Sequence, residues 1–343
     1  MRGRVNSARW APALLALAVA SLAVASLASV QVRAQPLVWE HVGGEALLDG
    51  LAFDEADTLW AIGPGGIGLL HMPPGSDAWA EVSEQEGNRL LFTEAGTVLV
   101  ETGAVLRSTD RGRTFEYAGQ QTGIGGPGLY EVEAGPLAGR LFVGVNVSPR
   151  GAAVSADDGA TWSQAPIGDP DAFGGDAQAF VAVPEGPNAG RVVAACYNGV
   201  AYTDDGGQTW APSSLWEPLL YVSDSVLRLP EGSGTNAGRL LAAVDGGSAD
   251  VWASDDDGET WEPLAGLAPN AEGVRLLWAG ATEAGPQTVY AVSHYSDVWR
   301  SGDGGLSWAA VGNVYPEALT FARGAVVGPD GRLYVTQNQP GPS

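Results

Sequence analysis

Apolar residues in this chain come in short runs, each ended by a turn rich in Gly, Asp, Pro or Asn. One set is almost continuously apolar after its first residue: 58–62, 97–100, 140–143, 191–194, 239–242, 288–291 and 332–335, seven in all. Runs of this length suit strands covered on both faces. A second set precedes them at 50–53, 89–92, 129–133, 179–183, 226–229, 274–278 and 319–325. A third, shorter set follows at 105–106, 152–154, 200–202, 251–252 and 298–299.

Each run of the third set leads into one octet, Ser/Thr-x-Asp-x-Gly-x-Thr/Ser-aromatic. It occupies 108–115, 155–162, 203–210, 254–261 and 301–308. The central acids Asp110, Asp157, Asp205, Asp256 and Asp303 are 47, 48, 51 and 47 residues apart, and a degenerate sixth copy ends at Trp79. Asp and Ser bond nearby backbone in a tight turn, and Gly supplies the φ that other residues resist. Trp162, Trp210, Trp261 and Trp308 then open a fourth strand and cover the turn. Four strands per unit at this period predict an all-β fold, a single β-propeller whose blades sandwich one another.

Six units are complete, ending at Trp79, Phe115, Trp162, Trp210, Trp261 and Trp308. A seventh has strand runs at 319–325 and 332–336. Residues 38–42, Val-Trp-Glu-His-Val, match the fourth-strand pattern of 79–82 and 308–311. The expectation is seven blades closed by this N-terminal strand, which removes the open edge of the ring. Six blades is the alternative.

The N-terminus carries Arg2, Arg4 and Arg9, then an uncharged apolar stretch over 11–32 and the step Ala34–Gln35. This reads as a signal peptide over 1–34, with the propeller over 35–343 exported. The stretch is long enough for an uncleaved anchor to be the other reading. Its Ala and Ser content and the Ala34–Gln35 step favour cleavage.

The charge balance narrows the partners. The chain has 17 cations, all Arg, against 40 acids. Four Arg precede residue 35, so the mature chain stands at −27. Such a surface repels nucleic acid and anionic lipid. It suits a soluble monomer that takes cationic partners or divalent ions. Missing Lys reflects base composition better than function. Cys196 is the only cysteine, so no internal disulfide forms, and its apolar run marks a buried thiol.

The octets resemble the Asp-box (BNR) repeat of sialidases, sortilin-type receptors, xyloglucanases and the photosystem II assembly propeller, over essentially the whole mature chain. The resemblance implies that the box is a structural turn between the third and fourth strands, away from the working face. A sialidase would need an arginine triad, a Tyr nucleophile with a Glu partner, an acidic Asp and an Arg-Ile-Pro segment. The first inner strand, Gly50-Leu-Ala-Phe53, has no arginine, and Arg-Ile-Pro is absent. Arg89, Arg228, Arg275 and Arg323 sit on inner strands and would line a channel or form ion pairs. Arg140, Arg191, Arg239 and Arg332 share one repeat position and read as scaffolding. The xyloglucanases use two propellers, and the photosystem family an arginine-rich face; neither suits this chain.

In a propeller the loops opposite the boxes carry ligand sites. Here they offer Tyr197, Trp216, Tyr295 and Tyr315 for stacking and Asn198, Arg150 and Glu217 for polar contacts. His294 with Asp297 offers acid–base chemistry. Asp297 and Glu217 are the catalytic candidates, with Asp176 and Asp250 as further carboxylates at the mouth. Two of them about 5–10 Å apart would mark a glycoside hydrolase. His41, His71 and His294 form no cluster by spacing, and no metal site is assigned. Asp204-Asp205 and 255–257 resemble the start of a calcium loop but lack its Glu at the twelfth position. The box explains these acids, and calcium bound elsewhere stays open.

Three function classes follow. The leading one is an exported, non-catalytic propeller that binds a glycan, peptide or protein partner. The others are a sialidase-like glycoside hydrolase and an assembly or structural scaffold.

Overall fold

The computed structural model describes residues 48–118, 126, 128–168, 175–217, 221–231, 233–245, 249–264, 274–278, 287–293, 295, 297–313, 322–329 and 332–337. Residues 1–34, expected as a leader, and 38–42, expected as a strand, lie outside the described residues.

The predicted strands form and pair antiparallel in chain order, giving six four-stranded sheets. These blades cover 50–83, 89–117, 130–166, 177–216, 221–263 and 275–313. A seventh sheet holds two strands, Ala322–Val327 and Leu333–Gln337. The fold is an all-β propeller. The one helical element among the described residues is a single 3-10 turn, Gly234–Asn236.

The near-continuous apolar runs became the second strands of the blades. Leu141–Val145 and Val192–Cys196 are buried at every residue. Their two faces meet neighbouring blades: Val193 and Ala195 of the fourth blade pack with Val226, Leu240 and Ala242 of the fifth. Each fully buried Val or Leu contributes about 1.5–3 kcal/mol relative to exposure.

Each octet is a closed hydrogen-bonded turn. In the fifth blade the Ser254 hydroxyl and the Thr260 amide both donate to Asp256 Oδ1 at 2.8 Å. The Thr260 hydroxyl donates to Oδ2 at 2.5 Å, and the Gly258 amide donates back to Ser254 Oγ at 2.9 Å. Asp110, Asp157, Asp205 and Asp303 are held the same way. Trp162, Trp261 and Trp308 cap their turns by donating Nε1–H to the carbonyls of Gly159, Gly258 and Gly305. Trp210 Nε1 has no partner among the described residues; its ring packs on Phe142 and Phe180 instead.

The boxes also join the blades. Gly258 has φ +91°, and a Cβ there would stand 2.7 Å from Val193 Cγ2 of the preceding blade. Only glycine lets the turn settle on that core residue. The same contact joins Gly112 to Leu69, Gly159 to Leu99, Gly207 to Phe142 and Gly305 to Leu241.

Polar grips reinforce it. Where the residue before the glycine is Asp, the preceding blade holds its carboxylate: Thr93 and Arg107 bond Asp158, and Asn188 bonds Asp257. Where it is Gly, the grip falls on a carbonyl. Arg140 donates to Gly206 O, and Asn236 donates to Asp303 O. Arg191 and Arg239 also pair with Asp204 and Asp255 of their own blades, so these arginines are scaffolding.

Seven full blades are not what the described residues contain: six are complete. The described residues 322–337 supply two strand runs and no octet. This seventh sheet still sits between the sixth blade and the first. Ala325, Val327, Leu333 and Val335 pack on Tyr290, Val292 and Val298, while Tyr334 meets Phe53 edge-on at 5.5 Å.

Candidate functional site

Strand register places the two kinds of turn at opposite ends. The second and third strands of the fourth blade close at Cys196 and Gly199, whereas the third and fourth separate into the box at Thr203. The end away from the boxes therefore gathers the second-to-third turns and the links between blades. Gly199, with φ +122°, is needed there, because a Cβ would fall 1.9 Å from Leu215 O. That approach sets Trp216 opposite Gly199.

From this point the predicted residues connect through space. The Glu217 amide donates to Asn198 O at 2.9 Å. The Trp216 indole lies against Gly168, where a Cβ would be 2.9 Å from Cζ2. Ile167, next in chain, donates its amide to Arg150 O at 3.2 Å. Arg150 reaches over the link to the fourth blade and pairs with Asp176 at 3.2 Å. Arg150, Asp176, Tyr197, Asn198, Trp216 and Glu217 thus share one sector of the mouth.

Their environments differ. The Asp176 side chain is 4% exposed and that of Arg150 is 27% exposed. Gln178 Nε2 donates to Asp176 Oδ2 at 3.1 Å. A buried carboxylate is tolerable only with such partners. Tyr197, Asn198 and Trp216 are half-buried, and Glu217 is exposed. Trp216 also packs on the cluster containing Ile167 and Cys196. Burial, then the charge of Asp176, pushes the Cys196 thiol far up, which leaves it protonated and inert.

The sixth blade holds a second, separate group. The Asp297 amide donates to Ser293 Oγ at 3.0 Å, and Asn313 Nδ2 donates to Asp297 Oδ1 at 2.8 Å. Asn313 also donates to the carbonyl of Tyr295, a residue that is 40% exposed. Asp297 thus closes a loop. His294, its expected partner, lies outside the described residues, as do Tyr315 and the side chain of Asp250. No described contact joins the two groups.

The two inner-strand arginines with described side chains do not come together. Arg89 pairs in register with Glu101 at the mouth end, whereas Arg228 pairs with Leu240 near the boxes and bonds Glu231 at 2.7 Å. The side chains of Arg275 and Arg323 lie outside the described residues. Among the described residues no three His, Cys, Asp or Glu side chains converge as metal ligands, and no helix is long and apolar enough to cross a membrane. Gln178, Ser293 and Asn313 were not singled out from sequence. A lone Gln inside the apolar run 177–183 was the available signal.

The BNR/Asp-box repeat family matches residues 201–212, the turn built on Asp205. This chain is a β-propeller that carries a BNR/Asp-box repeat. No curated protein matches its sequence. Solved propellers share the fold at low identity. The GH74 xyloglucanase from Xanthomonas campestris is 17% identical with a TM-score of 0.61, over 87% of this chain and 52% of that one. This propeller therefore spans about half of that enzyme. YCF48 from Cyanidioschyzon merolae is 16% identical with a TM-score of 0.57, over 86% of this chain and 94% of that one. A YCF48 structure is also known bound to D1 peptide. A catalytically inactive virginiamycin B lyase from Staphylococcus aureus, solved with quinupristin, is 12% identical with a TM-score of 0.63, over 85% of this chain and 92% of that one.

Proposed function

We propose that this chain is an exported, non-catalytic propeller that binds a glycan or peptide segment of its partner at the mouth opposite the Asp boxes. Arg150, Tyr197, Asn198, Trp216 and Glu217 form the contact surface. The carrying observation is their convergence from separate loops of the third and fourth blades. Two of the mouth carboxylates meanwhile are committed elsewhere: Asp176 to Arg150 and Gln178, and Asp297 to Asn313. A hydrolase needs two carboxyl groups placed to protonate a leaving oxygen and to activate water or attack. Carboxylates tied into such bonds in different blades are poor candidates for that pair. Peptide recognition has a precedent of fold in YCF48, and glycan recognition in the xyloglucanase. We further propose that residues 38–42 pair with Leu333–Gln337 and extend the seventh sheet.

The purified chain should be offered peptide and glycan arrays, with product formation followed in parallel. Retention that is lost in both Asn198→Ala and Glu217→Ala supports the reading. Cleavage that disappears in Glu217→Gln or Asp297→Asn overturns it and makes the protein an enzyme.

A further inference from the structure

On the side formed by the first four blades, the mouth has a definite sign of charge. Residues 50–217 contain seven arginines and no Lys. Five of them belong to the box end: Arg111 and Arg113 lie within a box, Arg107 holds Asp158, Arg140 donates to Gly206 O and Arg191 pairs with Asp204. The two at the mouth are each set against a buried carboxylate. Arg150 pairs with Asp176 at 3.2 Å, and Arg89 stands across the ladder from Glu101, which is 6% exposed. Both cations are thus matched from inside the protein. The acids Glu84, Glu86 and Glu217 on this side are exposed.

The fourth blade adds aromatic residues to one of these acids. Glu217 follows Trp216 in the chain, and its amide on Asn198 O holds the pair beside the turn that carries Tyr197. Trp216 and Tyr197 are half-buried. The Glu217 carboxylate has no hydrogen bond or ion pair among the described residues. An aromatic ring attracts a cation through its quadrupole, and a carboxylate without a counter-ion attracts one through its charge. A neutral or anionic ligand gains neither. The net charge of the chain, −23, acts in the same sense at longer range, drawing cations toward the surface and repelling anions.

We propose that the ligand of this mouth is a basic peptide segment, whose Lys or Arg side chain lies against Trp216 and Tyr197 and pairs with Glu217; the inference rests on the binding role proposed above. Arg150, with its side chain 27% exposed, decides between a peptide and a cationic glycan. An amino-sugar polymer carries a charge on every ring and would set one against Arg150. A peptide alternates side chains with a neutral main chain. It can therefore place a cation at Glu217 and a carbonyl at Arg150 or Asn198, which donate to it.

Fluorescence anisotropy with the purified chain tests it, using end-capped octapeptides that differ only at one central position: Lys, Arg, Gln or Glu. The Lys and Arg peptides should bind about tenfold tighter than the Gln peptide, with the Glu peptide weakest. Glu217→Gln should cut that preference to about threefold, the share left to the aromatic rings. Glu185→Gln removes an exposed acid at the box end of the same blade and should leave the preference unchanged. An equal loss in both variants overturns the proposal, because the preference would then come from the net charge of the chain. A Gln or Glu peptide that binds as tightly as the Lys peptide also overturns it. If that binding is still lost in Asn198→Ala, the contact surface stands and only its preference for cations falls. Tighter binding of a chitosan oligosaccharide than of any peptide would overturn the choice of a peptide. Binding of none of these probes overturns the proposal outright, and the peptide and glycan arrays then decide whether the contact surface itself survives.

Discussion

The two ends of this propeller are built on different terms. At the box end, the same bonds recur in five blades: hydroxyl and amide to carboxylate, amide to hydroxyl, and glycine on a neighbour's core residue. At the mouth the third, fourth and sixth blades differ. The third blade sends out Arg150, the fourth turns on Gly199, and the sixth ties Asp297 to Asn313. Repetition at one end fixes the ring and frees the other end to vary. In repeat folds that division places the fold in the common residues and the binding specificity in the unshared ones.

The comparison is broken most strongly at the box glycines. Gly258→Ala puts an L-residue at φ +91° and its Cβ 2.7 Å from Val193 Cγ2. Left-handed strain and overpacking together should cost about 2–5 kcal/mol. Urea unfolding reads this directly. A loss below the error of the method would mean that the boxes do not hold the blades together. Next in size is Asp256→Ala, which leaves the amides of Glu259 and Thr260 and the hydroxyl of Ser254 without their acceptor. Removing one charged acceptor of this kind should cost about 2 kcal/mol, and Asp256→Asn should recover part of it.

What was legible in the sequence follows the same division. Repetition located the five boxes, and the inner strands Gly50–Phe53 and Arg89–Phe92 form as read. The inner strands of the fourth and fifth blades begin earlier than the apolar runs suggest, at Ala177 and Tyr221. Their registers shift between Ala177 and Ala179 and between Val222 and Val226. A bulge breaks the two-residue alternation that marks a strand, so polar residues such as Gln178 and Ser223 read as loop. The pairing of Arg150 with Asp176 spans 26 residues and joins two blades. It has no local signal, and no copy elsewhere in the chain shows it. The blade count went astray for a related reason. Inner strands were counted, and among the described residues the seventh sheet has its first two strands without the outer pair.

A smaller effect separates the ends by pH. Burial alone would push the Asp205 carboxyl up. The Thr209 hydroxyl and amide, with the Thr203 hydroxyl and Gln208 amide, outweigh it and hold the group down to about 2. Asp157, Asp256 and Asp303 are also lowered. A carboxyl lowered on folding stabilises the native state above its unfolded value of about 4, and that contribution fades as pH falls toward the folded value. Melting temperature should therefore drop between about pH 4 and pH 2. Asp205→Asn should be less stable at neutral pH and show a shallower drop. An unchanged slope would place the acid sensitivity in other carboxylates.

The smallest effect on stability should come from the mouth. Glu217 is exposed, and its tie to the fold is its main-chain amide on Asn198 O. Glu217→Gln keeps that bond and nearly the same side-chain volume while removing one charge. An exposed substitution of this sort should move stability by no more than about 0.5 kcal/mol. If the side chain meets the ligand, affinity for the glycan or peptide returned by the arrays should fall about tenfold, the equivalent of about 1.4 kcal/mol. Calorimetry on the two proteins reads both quantities. Unchanged affinity moves the contact surface away from the fourth blade, toward Tyr295 and Asn313. A clear loss of stability instead would show that Glu217 supports the fold, and the contrast between a fixed end and a free end would fail at the residue chosen to represent it.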